Sequence, residues 1–406
     1  MASSKVQALE YSHETTFCEN VTTTASRIPF LGARLTRNQP RIANMGLQVR
    51  QNAQEAPYLG PREATLEIDV HWCGRGSLAN SATTDWWLLD LLQAGLGGGT
   101  SAVVGDTAVT AGSDTDTVTM ATIALDDGVM WRTGVRGDGR AEGRWGVAAG
   151  SSAGTTVNSL VGHGVAPITG DVIYKVDLAY PTESGQGSER FLLHYNESGA
   201  GTMVHGCVLT GIKFSAWTTG AIPTITLVYT CAYWQDYTAT FPVNATIQES
   251  VAAPVQGGYF FYNTVGTTTA AYLCPYEAQL EVELGTQLKR GQCSTAAFAT
   301  QSFNGFERTF SKPRLTMKFP TWASTGNTLF AADGTSTVFK HVLMASGTTA
   351  GRSVACYLPK MFIVDPVPGH DDVDGVIGYS MTLEGTESTA ETTNDLSKSC
   401  FRLAFG

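Results

Sequence analysis

The chain has 406 residues and a formal net charge of −10, and only 15% of its residues are charged. That share is well below the roughly one quarter typical of soluble domains, and Gly, Ala, Ser and Thr take up the difference. The acidic balance excludes a basic nucleic-acid clamp, which needs clustered cations. The composition favours a large β-rich protein whose surface is partly covered by copies of itself, with an ordinary β-rich monomer as the alternative.

Residues 1–60 are predicted to form an extended N-terminal arm, because they show little hydrophobic periodicity. Such a segment buries too little apolar surface to order itself, so we expect it to be disordered or ordered by a partner. The arm contains several arginines, and arginine suits protein interfaces better than lysine does. One interpretation is that the arm docks on an acidic neighbouring copy, and the plainer one is that it is a basic arm exposed to solvent. The candidates for contacts with a neighbouring copy are Arg27, Arg34, Arg37, Arg41 and Arg50.

The N-terminus lacks the apolar core of a signal peptide, and no apolar run reaches the length of a membrane span. We therefore expect a protein that is made and folded in a reducing cytoplasm and has no membrane segment. The eight cysteines show no closely spaced pair. In that compartment they are expected to be mostly buried free thiols.

Residues 61–385 are predicted to form a single β-rich domain. Its first strand ends at Trp72, since Leu66, Ile68 and Val70 alternate with polar residues. A stripe of leucines at helical spacing follows, and glycines from Gly95 onward end it, which predicts the one helix of the chain. A Gly/Ser/Thr-rich insertion is expected at about 98–160, and a C-terminal tail at 386–406.

The longest strand signal lies between Met203 and Asp236 and predicts a central antiparallel hairpin over Val208–Tyr233. Its second strand alternates bulky residues with threonines, so one face is apolar and the other polar. The hairpin carries a single charge, Lys213, and an uncharged edge strand invites pairing with another chain. The hairpin residues predicted to pair with a neighbouring copy are Ile212, Phe214, Thr224, Thr226, Thr230 and Tyr233.

The possible chemical motifs are weak, so we predict no enzyme, no catalytic residue, no metal and no cofactor. His71 and Cys73 share one strand face, but two ligands do not make a zinc site. The acidic stretch Gly369–Gly375 lacks the ligand register of a calcium loop and is expected to be a polar turn. Nucleophile elbows, phosphate loops and dinucleotide fingerprints do not occur in the sequence.

The order of these elements over roughly residues 20–385 resembles the major tail tube protein of long-tailed, siphovirus-type bacteriophages. The resemblance is one of order and spacing, beginning with the arginine-containing arm. The elements that carry it after the arm are the strand, turn and helix of Ala64–Gly97, His205-Gly206-Cys207 at the start of the hairpin, the strands Gln279–Leu284 and Arg314–Phe319, Leu358-Pro359-Lys360, and Asp374-Gly375.

This resemblance implies a mainly β fold: an antiparallel sandwich or barrel-like tube domain with one flanking α-helix and long loops and arms. It implies a non-enzymatic virion protein that forms rings, six copies in each and three in some larger relatives. The rings stack into a hollow tube for the passage of DNA. The implied partners are further copies, the tape measure, the tail tip and the terminator. The implied location is the virion tail, after synthesis in the host bacterial cytoplasm.

Two other classes of function remain alternatives. One is a different virion structural subunit, a capsid decoration or a fibre, although a fibre should show sequence repeats and none occurs. The other is a β-rich carbohydrate-binding module, which would need exposed aromatic side chains. Trp72, Trp86 and Trp87 are instead expected to lie in or beside the core between the first strand and the helix.

Overall fold

The fold was analysed in a computed structural model. The model describes residues 5–18, 25–42, 58–72, 74, 86–100, 107–110, 117–119, 125, 128–133, 144–149, 156–160, 166–197, 199–215, 217–218, 220–238, 259–265, 275–290, 303–319, 339–347, 353–364, 369–373, 376–386 and 395–406.

The predicted mainly-β fold with one flanking helix is confirmed. Antiparallel strands dominate, accompanied by helix α1 (Trp87–Leu96) and a single helical turn, α2 (Asp395–Lys398). The strands are β1 Ala8–His13, β2 Ser26–Arg27, β3 Gly32–Asn38, β4 Arg41–Ile42, β5 Tyr58–Leu59, β6 Glu63–His71, β7 Gly97–Thr100, β8 Thr107–Ala108, β9 Thr117–Thr119, β10 Met130–Thr133, β11 Trp145–Ala149, β12 Thr156–Ser159, β13 Val172–Lys175, β14 Asp177–Pro181, β15 Glu189–His194, β16 Ala200–Phe214, β17 Thr224–Thr238, β18 Tyr259–Thr264, β19 Glu277–Glu283, β20 Thr286–Arg290, β21 Phe303–Arg308, β22 Lys312–Phe319, β23 Lys340–Ser346, β24 Val354–Ile363, β25 Gly369–Val373, β26 Val376–Gly385 and β27 Arg402–Phe405.

The central hairpin forms as predicted and is longer than expected. Strands β16 and β17 have 15 residues each and pair from Ala200 opposite Thr238 to Phe214 opposite Ile225. Burial along the first half of β17 alternates strictly, and Leu227 and Tyr229 are fully buried. The turn between the strands contains Gly220 at a φ of 84°, in the left-handed region that favours glycine. The alternation of side-chain size therefore does place one face of the hairpin in the core.

The main sheet bends into a half-barrel because two strands change partner along their length. The first half of β16 pairs with β15 and its last residues pair with β19. In the same way β24 pairs first with β27 and then with β26. Strands on either side of such a strand diverge, which curves the sheet. A continuous path of paired strands follows the order β3–β6–β17–β16–β19–β22–β26–β24–β27–β14–β7.

Helix α1 packs on one face of this sheet with its leucine stripe inward. Leu88, Leu91 and Leu92 are fully buried in one cluster with apolar side chains of the sheet. The glycine-rich end predicted for the helix is correct, since Gly97 forms the left-handed cap at a φ of 89°. Arg308 donates to the last-turn carbonyls, with its guanidinium 2.9 Å from the Leu96 oxygen. A cation at this end of a helix complements the helix dipole.

A second, six-stranded sheet covers part of the opposite face. It has the order β8–β13–β10–β11–β12–β9, and Met130, Trp145 and Val147 pack against Leu343 and Tyr357 of the main sheet. This sheet occupies most of the predicted insertion at about 98–160, but it extends to β13, and β7 belongs to the main sheet. Strand β24 is therefore buried on both faces, which explains its continuous apolar run.

The predicted arm and tail boundaries do not match boundaries of the fold. Strand β1 pairs with β15 and with β2, and β3 pairs with β6, so residues before 60 contribute three strands to the main sheet. At the other end β27 lies between β14 and β24. Both termini enter the sheet because they carry apolar residues that become fully buried, among them Leu9 and Leu403.

The expectation of free thiols is wrong for one pair of cysteines. Cys207 and Cys231 lie opposite each other in the hairpin and form a disulfide. Cys18, Cys356 and Cys400 are buried thiols that take no part in a disulfide, as expected. The other three cysteines lie outside the described residues. Within the described part of the chain, no helix is both long and apolar enough to cross a membrane.

Replacing a leucine of the helix tests its packing against the sheet. Leu88→Ala should lower the free energy of unfolding by about 2–5 kcal/mol, because the fully buried side chain leaves a cavity. Leu59→Ala is the matched control, since Leu59 is 66% exposed and its removal should change stability by about 0.5 kcal/mol or less. Chemical denaturation measures both values. Equal losses in the two variants would contradict the placement of the helix.

Candidate assembly interface

The exposed face of the main sheet carries charges that alternate from strand to strand. One row of cross-strand neighbours runs from Asp69 through Thr226 to Lys213 and continues to Glu281 and Arg314. Thr226 donates a hydrogen bond of 2.5 Å to Asp69. Opposite charges in directly opposed positions stabilise a sheet, so this pattern supports the observed register.

The neighbouring rows repeat the alternation, so this face carries little net charge. Lys312 lies 2.8 Å from Glu384, and Lys318 lies 3.7 Å from Glu277. On this face the cations Arg34, Lys213, Lys312, Arg314 and Lys318 are interleaved with the anions Glu67, Asp69, Glu277, Glu281, Glu283 and Glu384.

The hairpin expected to form a free edge lies inside the sheet. Strand β17 pairs with β6 from Thr224 to Cys231, and the end of β16 pairs with β19. The predicted free edge along these residues is therefore wrong. Its backbone groups are satisfied within the chain, because β6 and β19 have the same alternation of apolar and polar residues and bury the same face.

The six hairpin candidates fall into three environments. Ile212 and Phe214 are buried, and the ring of Phe214 lies 4.7 Å from that of Trp72. Thr224, Thr226 and Thr230 lie half-buried on the polar face. Tyr233 lies near the far end of the hairpin, beyond the residues that β6 covers, with the Arg62 guanidinium 5.9 Å from its ring centroid.

The open edge is formed by β3. It pairs with β6, and among the described residues no strand lies along its other side. Leu31 donates its N–H to Asp69 at 2.7 Å, so the odd-numbered residues of β6 turn their backbone groups towards β3. The β3 residues opposite them bond inward, and backbone groups alternate in direction along a strand. The intervening residues, Ala33, Leu35 and Arg37, therefore direct their N–H and C=O groups outward.

Two arginines and a tryptophan form a cluster at one end of this edge. The guanidinium groups of Arg37 and Arg62 lie 4.9 and 5.2 Å from the ring centroid of Trp234. Arg37 also donates to Asp236 at 3.2 Å and to the Tyr195 hydroxyl at 3.3 Å. Arginine over the face of an indole contributes about 0.5–1 kcal/mol at an exposed site, so the cluster helps to hold this end of β3 on the hairpin.

The structure brings together two of the five arginines predicted for contacts between copies. Arg34 and Arg37 lie on β3, where Arg34 is 3.5 Å from Glu67. Arg27 lies opposite Glu10 in a different part of the sheet, and Arg41 is exposed on β4. Arg50 lies outside the described residues. Arg62 and Trp234 were missed as partners of Arg37, since nothing in their spacing indicates that β3 and β17 approach the same place.

The weak chemical motifs have ordinary structural positions. His71 is half-buried at the end of β6, and Cys73 lies outside the described residues. Most of the expected polar turn Gly369–Gly375 is instead strand β25, which pairs with β26. Among the described side chains, no group of three or more His, Cys, Asp and Glu residues is arranged to hold a metal ion.

Comparison with known protein families and with curated proteins finds no match to this chain.

The arginine–tryptophan cluster predicts a measurable coupling. In a double-mutant cycle of Arg37→Gln and Trp234→Ala, the two side chains should show a coupling free energy of about 0.5–1 kcal/mol. Chemical unfolding of the four proteins gives this value. Arg34→Gln replaces Arg37→Gln in the control cycle, because Arg34 is 80% exposed and is paired with Glu67. Equal coupling in both cycles would contradict the cluster.

Proposed function

We propose that this chain is a structural subunit that assembles into the tail tube of a long-tailed bacteriophage. Its copies form rings, and the stacked rings enclose a channel through which DNA passes. The observation that carries the proposal is the open edge at β3, next to a broad polar sheet face with balanced charge. The order of elements, which resembles the major tail tube protein, supports the same class. The subunit is proposed to be non-enzymatic.

A ring requires two different surfaces that meet head to tail. The edge of β3 supplies one of them, since its outward backbone groups are satisfied when a strand of the next copy pairs with it. Strands β18 and β25 supply candidates for the second, because among the described strands β18 pairs only with β23 and β25 only with β26. The resemblance favours six copies in a ring, with three as the alternative.

The polar face suits the wall of a DNA channel. Cations that neutralise phosphates hold DNA by releasing its counterions, which favours retention. On this face the cations have anions as cross-strand neighbours, as in the pair of Glu281 and Arg314. A wall of balanced charge gives phosphates few sites to bind, so DNA passes without being held.

The same assignment implies the remaining partners and the location. Arm residues such as Arg41 would contact the next ring, and the tube would meet the tape measure, tail tip and terminator proteins. The subunit would be made in the host bacterial cytoplasm and would end in the virion tail. A capsid decoration or fibre remains an alternative within virion proteins. A carbohydrate-binding module has less support, because Trp72, Trp86 and Trp87 are buried.

The role of the β3 edge is tested by a proline. Ala33→Pro removes an N–H that points away from β6, and proline is tolerated on an edge strand at such a position. The variant should remain folded and lose assembly, whereas Ala33→Ser keeps the N–H and should assemble like the wild type. Analytical ultracentrifugation over a concentration series measures assembly, and circular dichroism confirms folding.

Either of two results would contradict this role. One is a folded Ala33→Pro protein that assembles as the wild type does. The other is loss of assembly in Ala33→Ser, which would mean that the side chain and not the backbone edge matters.

A further inference from the structure

The N-terminal strand β1 is attached to the rest of the domain through a bridging histidine. His13 Nε2 lies 2.6 Å from Asp90 of helix α1, and His13 Nδ1 lies 2.8 Å from a carboxylate oxygen of Glu189 in β15. Tyr11 of β1 donates a second hydrogen bond to Asp90, at 2.8 Å. One side chain of β1 therefore joins it to two different elements.

These contacts require a proton that can be lost. A neutral imidazole has only one N–H, so it cannot donate to two carboxylates at once. Either His13 is protonated on both nitrogens, or a protonated Glu189 donates to it. Both arrangements contain the same number of protons, and removal of that proton leaves one of the two His13 contacts, to Asp90 or to Glu189, without a donor. Because Glu189 is only 1% exposed, water cannot readily replace the lost bond.

On one side of β1, six of its residues pair with β15, and buried side chains such as Leu9 and Tyr11 add to the attachment. On its outer side, among the described residues, Glu10 and Tyr11 pair with the two-residue strand β2. Departure of β1 would expose the edge of β15.

Other charged and titratable groups surround His13 from the elements packed against β1. Glu10 lies 2.9 Å from His194, and Glu14 accepts hydrogen bonds from Ser188 and from the backbone of Gly206. The groups to consider are Glu10 and Tyr11 on β1, Glu14 directly after it, Arg27 on β2, Asp90 on α1, Glu189, Arg190 and His194 on β15, His205 on β16 and Tyr229 on β17.

We propose that β1 is a pH-controlled latch: the proton shared by His13 and Glu189 holds the strand against α1 and β15, and its loss releases the strand and opens the edge of β15. This device does not depend on tube assembly. It is a property of the single subunit and can be measured there.

The charges around the bridge set the direction of the response. Hydrogen bonds to Asp90 and Glu189 raise the pKa of His13 from 6.5 to about 10, and burial raises the pKa of Glu189 from 4.5 to about 7. Burial pushes the pKa of Asp90 upward, but the hydrogen bond and charge of His13 outweigh it and hold the pKa low. A raised pKa in the folded state means stability that is lost as the pH rises. The latch therefore weakens between about pH 6.5 and about pH 10.

Hydrogen exchange of the purified subunit at about pH 6.5 and about pH 10, corrected for the intrinsic rates, tests the latch. In the wild type, the opening of peptides covering β1 and β15 should increase more than about tenfold over this range. The reason is that the pKa of His13 with β1 in place lies more than one unit above its ordinary value. Peptides from β24 should show no such rise. In His13→Gln, opening should already be high at the lower pH and should not rise further.

Two further variants separate this mechanism from a general loss of stability. Glu189→Gln removes one of the two carboxylates but leaves Asp90, so it should make the pH response clearly smaller, and it tests the proposal if His13→Gln does not fold. His71→Gln is the matched control, because His71 lies at the end of β6, which pairs with β17 and β3. In this variant the increase in β1 opening with pH should equal that of the wild type. A β1 response that is absent in the wild type, or that survives undiminished in both bridge variants, would overturn the proposal.

Discussion

An antiparallel sheet leaves backbone N–H and C=O groups unpaired along each outer strand, and this constraint organises the fold. Such groups must meet water, another part of the chain or another molecule. The long hairpin β16–β17 meets the constraint internally, because β6 and β19 extend the sheet on both sides of it. Unpaired backbone N–H and C=O groups therefore remain on the outer side of β3, where a strand of a second copy can pair with them.

The distribution of side chains across the sheet follows from what covers each face. Helix α1 covers one part, and the six-stranded sheet covers another on the opposite face, so β24 and β27 are buried on both faces. In the main sheet, β6, β17, β19 and β22 have one apolar face and one more exposed face, and the end of β16 continues this pattern. On the exposed face, alternating charges such as Lys213 and Glu281 stabilise the register and leave little net charge.

The sequence predicted local features well and long-range ones poorly. The period-two pattern of β17 and the leucine stripe of α1 depend on neighbouring residues, and both predictions are confirmed. The error about the hairpin edge concerns β6, which lies more than 150 residues away from its partner in the chain. Short terminal strands such as β1 and β27 carry too few residues for a clear pattern, so their place in the sheet and the His13 bridge were not predictable.

Tube assembly as proposed depends on a second copy that completes the edge of β3. Cryo-electron microscopy of the purified protein at high concentration tests this pairing. We expect rings or tubes in which a strand of the neighbouring copy lies along Gly32–Asn38, with the polar face towards the channel. Monomers at every concentration, or assemblies whose contacts leave β3 exposed, would contradict it.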